Sequence, residues 1–250
     1  MRASPDCGSV DASVRVLDPS CFLLKGALTL GEQTRLFDTV QRSDATDWHH
    51  MTPCMNPTPK TLEFFSQRDD GQTARFLSYR APDDSNGSEV DSGGAVVDMV
   101  GKATKLLGWT EPVQSVSLAA IRYCATGSSA TIGSCFPPHI DHCNDGTWVF
   151  LASVGCAARF HVKTPRMVQP HAFEMESGDV LVFDPSSEAA VLHGVAGVGG
   201  EESCGRELAE RFEVLRSSRF GLQCRVSLGD STARHTVPVR PPPPRVWDDH

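Results

Sequence analysis

The chain has 250 residues, 40% apolar and 22% charged, with a formal net charge of −8. That length and composition suit one large catalytic domain with its own core and exclude wholesale disorder. The acidic balance argues against a protein held to DNA by bulk electrostatics, but it leaves room for a local basic groove.

The opening MRASPDCGSV lacks the apolar run of a signal peptide, and no stretch approaches the length of a membrane span. Residues 1–15 are polar and are expected to form a flexible N-terminus. The segment LLKGALTLGEQTRLFDTVQ predicts a short strand followed by a helix. Thr29 with Glu32 fits a capping box, and Leu36, Phe37 and Val40 share one face. Residues 80–94 (RAPDDSNGSEVDSGG) are a loop by composition. A second helix comes next, with Val96, Val100, Ala103 and Leu107 at helical spacing and Gly108 as its stop.

From about Ser115 the texture changes to short β-rich runs between turn signals: SVSLAAIRY, TWVFLASV, ARFHV, HAFEM, DVLVFD and RFGLQCRVSL. Such a series predicts a sandwich or barrel, with the two preceding helices buttressing one sheet. Residues 199–218 interrupt it with a charged insert, where Glu207 and Arg211 sit at helical spacing. The tail over 231–250, with Pro241 to Pro244 in a row, is expected to be extended and unpacked. The expected division is therefore a flexible 1–15, one domain over 16–230 with its β-core at 115–230, and a Pro-rich 231–250. Nine Cys without a CxxC pair predict reduced thiols, several of them buried, and an intracellular protein of cytoplasm or nucleus.

The chemistry centres on Pro137-Pro138-His139-Ile140-Asp141. On a strand, residues i and i+2 point the same way, so His139 and Asp141 would face one cavity. An imidazole and a carboxylate can take two positions on a divalent iron. A second His completes a facial triad and leaves three positions open, two for a bidentate keto acid and one for dioxygen. The HxD alone is weak: nine His and 19 Asp in 250 residues give about 0.7 by chance. The motifs downstream of it carry more weight. ESGDVLVFD reads as a turn feeding an apolar strand. His193 sits in the apolar AAVLHGV, where a hydrogen-bonded core histidine is the plainer alternative. Arg219 and Arg225 lie an even six residues apart in RFGLQCR, so a strand would put both on one face. Inward arginines on an apolar strand call for anions, and a dicarboxylate supplies two. A pair of surface arginines on an edge strand is the alternative.

The order HxD, then His, then RxxxxxR resembles the AlkB family of 2-oxoglutarate-dependent dioxygenases over roughly residues 16 to 228. SVSLAAIRYCATGSSATIGSCFPPHIDH is similar to that family's strand with a cofactor-binding Tyr and the loop into HxD. ESGDVLVFDPSSEAAVLHGV is similar to its turn and strand before the distal His, and SSRFGLQCRVSL to its closing RxNxTxR strand. The resemblance implies a mainly β, α+β fold: a double-stranded β-helix (jelly roll) core with N-terminal helices packed outside. It implies that His139, Asp141 and His193 ligate Fe(2+), that Arg219 and Arg225 bind the 2-oxoglutarate carboxylates, and that Tyr123 hydrogen-bonds this cosubstrate, with dioxygen as the second. It implies oxidative demethylation of N-alkylated bases in DNA or RNA, single-stranded or flipped out, with the methyl carbon leaving as formaldehyde. A monomer that does not bind membranes is expected.

Several positions depart from the family pattern. The Asn two places before the Tyr is Ile121. In the closing strand the Asn position is Gly221 and the Thr position is Gln223. The acidic residue often found two after the metal Asp is Cys143. The family's lid maps to Trp48, His49, His50 and the strand-like TLEFF, where Trp48 is read as packing rather than as a base-stacking platform. His142 would face away from the metal. Two other classes stay open: the same chemistry on a protein, lipid or small molecule, and a non-catalytic jelly-roll binding module.

Overall fold

The computed structural model describes residues 12–41, 49–50, 73–80, 94–124, 136–141 and 147–229. The N-terminus up to residue 11, the Pro-rich tail and loop residues 81–93 lie outside the described residues.

Among the described residues, twelve strands form two antiparallel sheets. The larger runs in the order β1 (Ser13–Asp18), β2 (Cys21–Lys25), β10 (Val180–Phe183), β7 (Thr147–Gly155), β12 (Ser218–Leu228), β5 (Val113–Cys124), β4 (Thr73–Arg80) and β3 (His49–His50). The smaller runs β6 (Phe136–His139), β11 (Leu192–Val198), β8 (Ala158–Lys163) and β9 (His171–Met175). This is the expected jelly roll. The strand runs read from SVSLAAIRY onward all form strands. β1 begins at Ser13, inside the stretch read as flexible.

The central strands β7 and β10 are covered on both faces, which is why they are buried along almost their whole length and mainly apolar rather than alternating. On β12 the even residues Phe220, Leu222, Cys224 and Val226 pack outward under the helices. The odd residues Arg219, Gly221, Gln223 and Arg225 therefore face the space between the sheets. That space is otherwise lined by apolar groups, among them Leu23, Val149, Leu151, Phe160, Val162, Leu181 and Phe183.

Two helices cover the outer face. α1 (Leu30–Gln41) opens on the expected capping box: the Thr29 backbone N–H and hydroxyl both donate to Glu32 Oε2, at 2.7 and 2.8 Å. α2 (Gly94–Leu107) stops at Gly108, whose φ of 72° suits a residue without Cβ. Gly108 N–H donates to Lys105 O and Trp109 N–H to Thr104 O, the bond pair of a Schellman end. Leu36, Phe37 and Val40 of α1 and Val96, Val100 and Ala103 of α2 share one core with Phe22, Phe150 and Phe220. Phe37 meets Phe212 and Phe220 edge-on at 4.9 and 4.8 Å, and each such pair adds about 0.5–1.5 kcal/mol beyond burial. The charged insert contains α3 (Arg206–Arg211), as its spacing predicts, and Leu208 anchors it to the same core.

The expectation of nine reduced thiols is corrected: Cys156 and Cys204 form a disulfide. A β-bridge brings the end of β7 against the insert at this pair. Their sequence separation of 48 hides that proximity from any local spacing rule. The bond removes the cysteine argument for a reducing compartment. Cys21 and Cys224 are free and buried, as expected. No helix among the described residues is long and apolar enough to cross a membrane.

Asp18 closes the turn between β1 and β2. It accepts bonds from Ser20 N–H, Thr164 Oγ1 and the Arg166 guanidinium at 2.9, 2.8 and 3.1 Å. Burial opposes its charge, but these donors outweigh burial and bring the carboxyl down to about 2. A carboxyl lowered on folding stabilises above its unfolded pKa, near 4, and loses that contribution as pH falls toward 2. Asp18→Asn is expected to cost roughly 2 kcal/mol at pH 7. Urea unfolding should show that difference shrink by pH 2.5; a difference constant with pH would contradict it.

Candidate metal centre

β6 and β11 pair so that His139 stands directly opposite His193. β6 ends at His139, and Asp141 comes two residues beyond, still turned to the same side. The ligand atoms of His139, Asp141 and His193 all lie within 4.8 Å of one another. His139 Nε2 is 3.4 Å from Asp141 Oδ1, and the two imidazole rings are 4.3 Å apart. Two imidazoles and one carboxylate converging from one side form a set able to hold a divalent metal with open positions. A binding module that has lost the metal would have lost or misplaced a ligand, and none is.

The surroundings prepare these groups for ligation. His193 is 4% exposed and packs against Phe160 and Phe183. Its Nδ1 lies 3.2 Å from Val191 O; donation there leaves the Nε2 lone pair for a metal. Burial, with the neighbouring His139 adding to it, pushes the His193 pKa down to about 4, so the ring is neutral at pH 7. Burial alone would raise the Asp141 carboxyl. The hydrogen bond from His139, with the electrostatic influence of the neighbouring His193, His139 and Arg225, outweighs burial and lowers the Asp141 pKa.

Gln223 is a participant that the sequence reading did not foresee. From the middle of β12 its Nε2 donates to Asp141 Oδ2. That bond occupies one carboxylate oxygen and turns the other toward the histidines. Gln223→Ala is expected to weaken divalent-metal binding ~10–100-fold, as loss of such supporting contacts does. Calorimetric titration with Mn(II) reads this directly, and an unchanged affinity would remove Gln223 from the site.

Two positions along the same face, past Gly221, the chain places Arg219. It is 0% exposed. Its guanidinium lies 5.3 Å from the Tyr123 ring and 5.8 Å from that of Phe160, and Nη2 contacts Met175 Sδ. Nε has no hydrogen-bond partner, and among the described residues no carboxylate meets this cation. Burial lowers its pKa, although Tyr123 and Asp179 act the other way. A buried guanidinium without a counter-charge is costly unless an anion joins it. Tyr123 is its register partner on β5. Arg225, at the far end of the face, is exposed, and its charge reaches Asp141. From Gln223 to Arg219 the strand runs about 13 Å over bare Gly221. This face thus offers a cluster able to hold a metal near one end and a buried cation at the other.

A family model described as the 2OG-Fe(II) oxygenase superfamily matches residues 20–225. The chain belongs to this superfamily. Its cofactor and cosubstrates are accordingly Fe(2+), 2-oxoglutarate and dioxygen, and it is a 2-oxoglutarate-dependent dioxygenase. The solved structure of OsALKBH1 is similar at a TM-score of 0.56 and 18% identity, covering 84% of this chain and 100% of that one, so the fold is AlkB-like. A Pseudomonas putida prolyl-4-hydroxylase matches at a TM-score of 0.45 and 13% identity, over 83% of this chain and 92% of its own. A 2OG-Fe(II) oxygenase-family oxidoreductase from Burkholderia pseudomallei matches at 0.49 and 15%, over 83% and 85%. No curated protein matches the sequence.

Of the lid residues, His49 and His50 form the outermost strand of the larger sheet, paired with Ala74 and Thr73. Trp48, the TLEFF run, His142 and Cys143 lie outside the described residues.

Proposed function

We propose that this dioxygenase oxidatively demethylates N-alkylated bases in nucleic acid, acting on single-stranded or flipped-out bases. In this proposal His139, Asp141 and His193 hold the iron. Arg219, Tyr123 and Arg225 bind 2-oxoglutarate. The observation that carries the reading is the ordered face of β12, with Arg219, Gln223 and Arg225 lined up beneath the histidine–aspartate cluster in an AlkB-like fold.

Iron held by His139, Asp141 and His193 would, with dioxygen and 2-oxoglutarate, supply the oxidising power for hydroxylating an N-methyl group, which then leaves as formaldehyde. The rest is the chain's own work. His193, neutral and locked by Val191, offers Nε2 without a proton to displace. Gln223 keeps Asp141 turned to the metal. Arg219 and Tyr123 hold the far end of the keto acid in a pocket that Phe160, Met175 and Leu151 keep dry. Arg225 stands at the exposed end, where an anionic substrate or cosubstrate group arrives.

A second reading, the same chemistry on a protein side chain, lipid or small metabolite, draws on two observations: the net charge of −8, and Cys143 where the family often places an acid that reads the base. One screen separates them. Methylated oligonucleotides and methylated peptides are offered in parallel and formaldehyde release is measured. Release from oligonucleotides alone supports the nucleic-acid substrate; release from peptides alone overturns it.

A further inference from the structure

Ser153 is 0% exposed, and its hydroxyl has no hydrogen-bond partner. An orphaned buried hydroxyl is uncommon, because it has left water for nothing in return. Its place explains it. Ser153 is on β7, on the face shared with Val149 and Leu151, so it points between the sheets. Its register partner on β12 is Gly221. A Cβ built on Gly221 would lie 3.1 Å from Arg219 Nη1. The guanidinium therefore extends over the glycine, and directly opposite residues in an antiparallel pair stand only ~5 Å apart at Cβ. Two buried, incompletely bonded donors, Arg219 and Ser153, thus stand on either side of Gly221, close to Tyr123 and Leu151. Nearby, Ile121 and Gly221 stand where the resemblance expects asparagines, so neither position offers a side-chain hydrogen-bond donor here.

We propose that Ser153 is a cosubstrate-binding residue: its hydroxyl donates to the distal carboxylate of 2-oxoglutarate beside Arg219 and makes this site select a dicarboxylate 2-oxo acid. The proposal rests on the iron and 2-oxoglutarate assignment. In it, the hydroxyl supplies a donor where neither Ile121 nor Gly221 has one, and the absence of a side chain at Gly221 lets the Arg219 guanidinium reach over it toward Ser153.

Calorimetry on the Mn(II)-loaded protein tests it, with 2-oxoglutarate and with 2-oxopentanoate, which has the same chain length but no distal carboxylate. Ser153→Ala is expected to weaken 2-oxoglutarate binding about tenfold or more, as loss of a hydrogen bond to a charged group does. Binding of 2-oxopentanoate should not change. The melting temperature without ligand should hold or rise, since the substitution removes an unpartnered hydroxyl. An unchanged 2-oxoglutarate affinity overturns the proposal, and so does an equal loss for both acids. If the wild type itself binds no 2-oxoglutarate, the cosubstrate assignment fails, and this proposal falls with it.

Discussion

Arg219→Met is expected to abolish 2-oxoglutarate binding and at the same time stabilise the ligand-free protein. The two effects have one cause. The guanidinium is fully buried, its Nε is unpartnered, and no carboxylate among the described residues neutralises it. Replacing buried ionic groups by well-packed apolar side chains of similar volume is often neutral or stabilising by about 1–4 kcal/mol, and an ion without a partner has less to lose. The cation–π contacts with Tyr123 and Phe160 offset part of that gain, by roughly 0.5–2 kcal/mol. A net gain on the order of 1 kcal/mol raises the melting temperature by about 2–4 °C in a domain of this size. On the ligand side, a carboxylate that loses its guanidinium in a dry site loses roughly 3 kcal/mol or more, over a hundredfold in affinity. Thermal melts with and without 2-oxoglutarate read both effects in one series. A destabilised variant that still binds the keto acid would mean Arg219 is a structural residue only.

His193→Ala and His139→Ala should each remove metal binding, and they should differ in stability. Either loss takes one of three ligands and should exceed the ~10–100-fold penalty of losing a supporting contact. His193 is packed against Phe160 and Phe183, so its truncation also leaves a cavity, at a cost of about 2–4 kcal/mol. His139 is more open, 16% exposed at its side chain, and its truncation should cost less than half of that. Mn(II) titration together with urea unfolding distinguishes the variants. Metal binding retained by either one would contradict the three-ligand centre.

The jelly roll and its outer helices were legible in the sequence because their signals are local. The Thr29–Glu32 box and the Gly108 stop bracket helices whether or not anything packs on them. β7, β10 and β12 announce themselves by residue type. The candidate centre was legible only as an order of motifs, since the HxD by itself is close to chance. What escaped was long-range. Gln223 reads in sequence as a departure from the family's Thr, yet its position, even-spaced between Arg219 and Arg225, puts it on the inward face. Parity could have found it; its partner Asp141, 82 residues away, could not be known. Cys156 and Cys204 meet only because the insert folds back on the end of β7. Ser153 lies within a run of apolar residues, and nothing short of the register against Gly221 shows what it faces.

The most direct test of the centre is 2-oxoglutarate decarboxylation by the whole chain with Fe(II) in air, measured as succinate formed, for the wild type and for Asp141→Ala. The structure predicts succinate that depends on Fe(II) in the wild type and background alone in the variant. Equal succinate from both, or none from the wild type with iron present, would contradict a centre built on His139, Asp141 and His193.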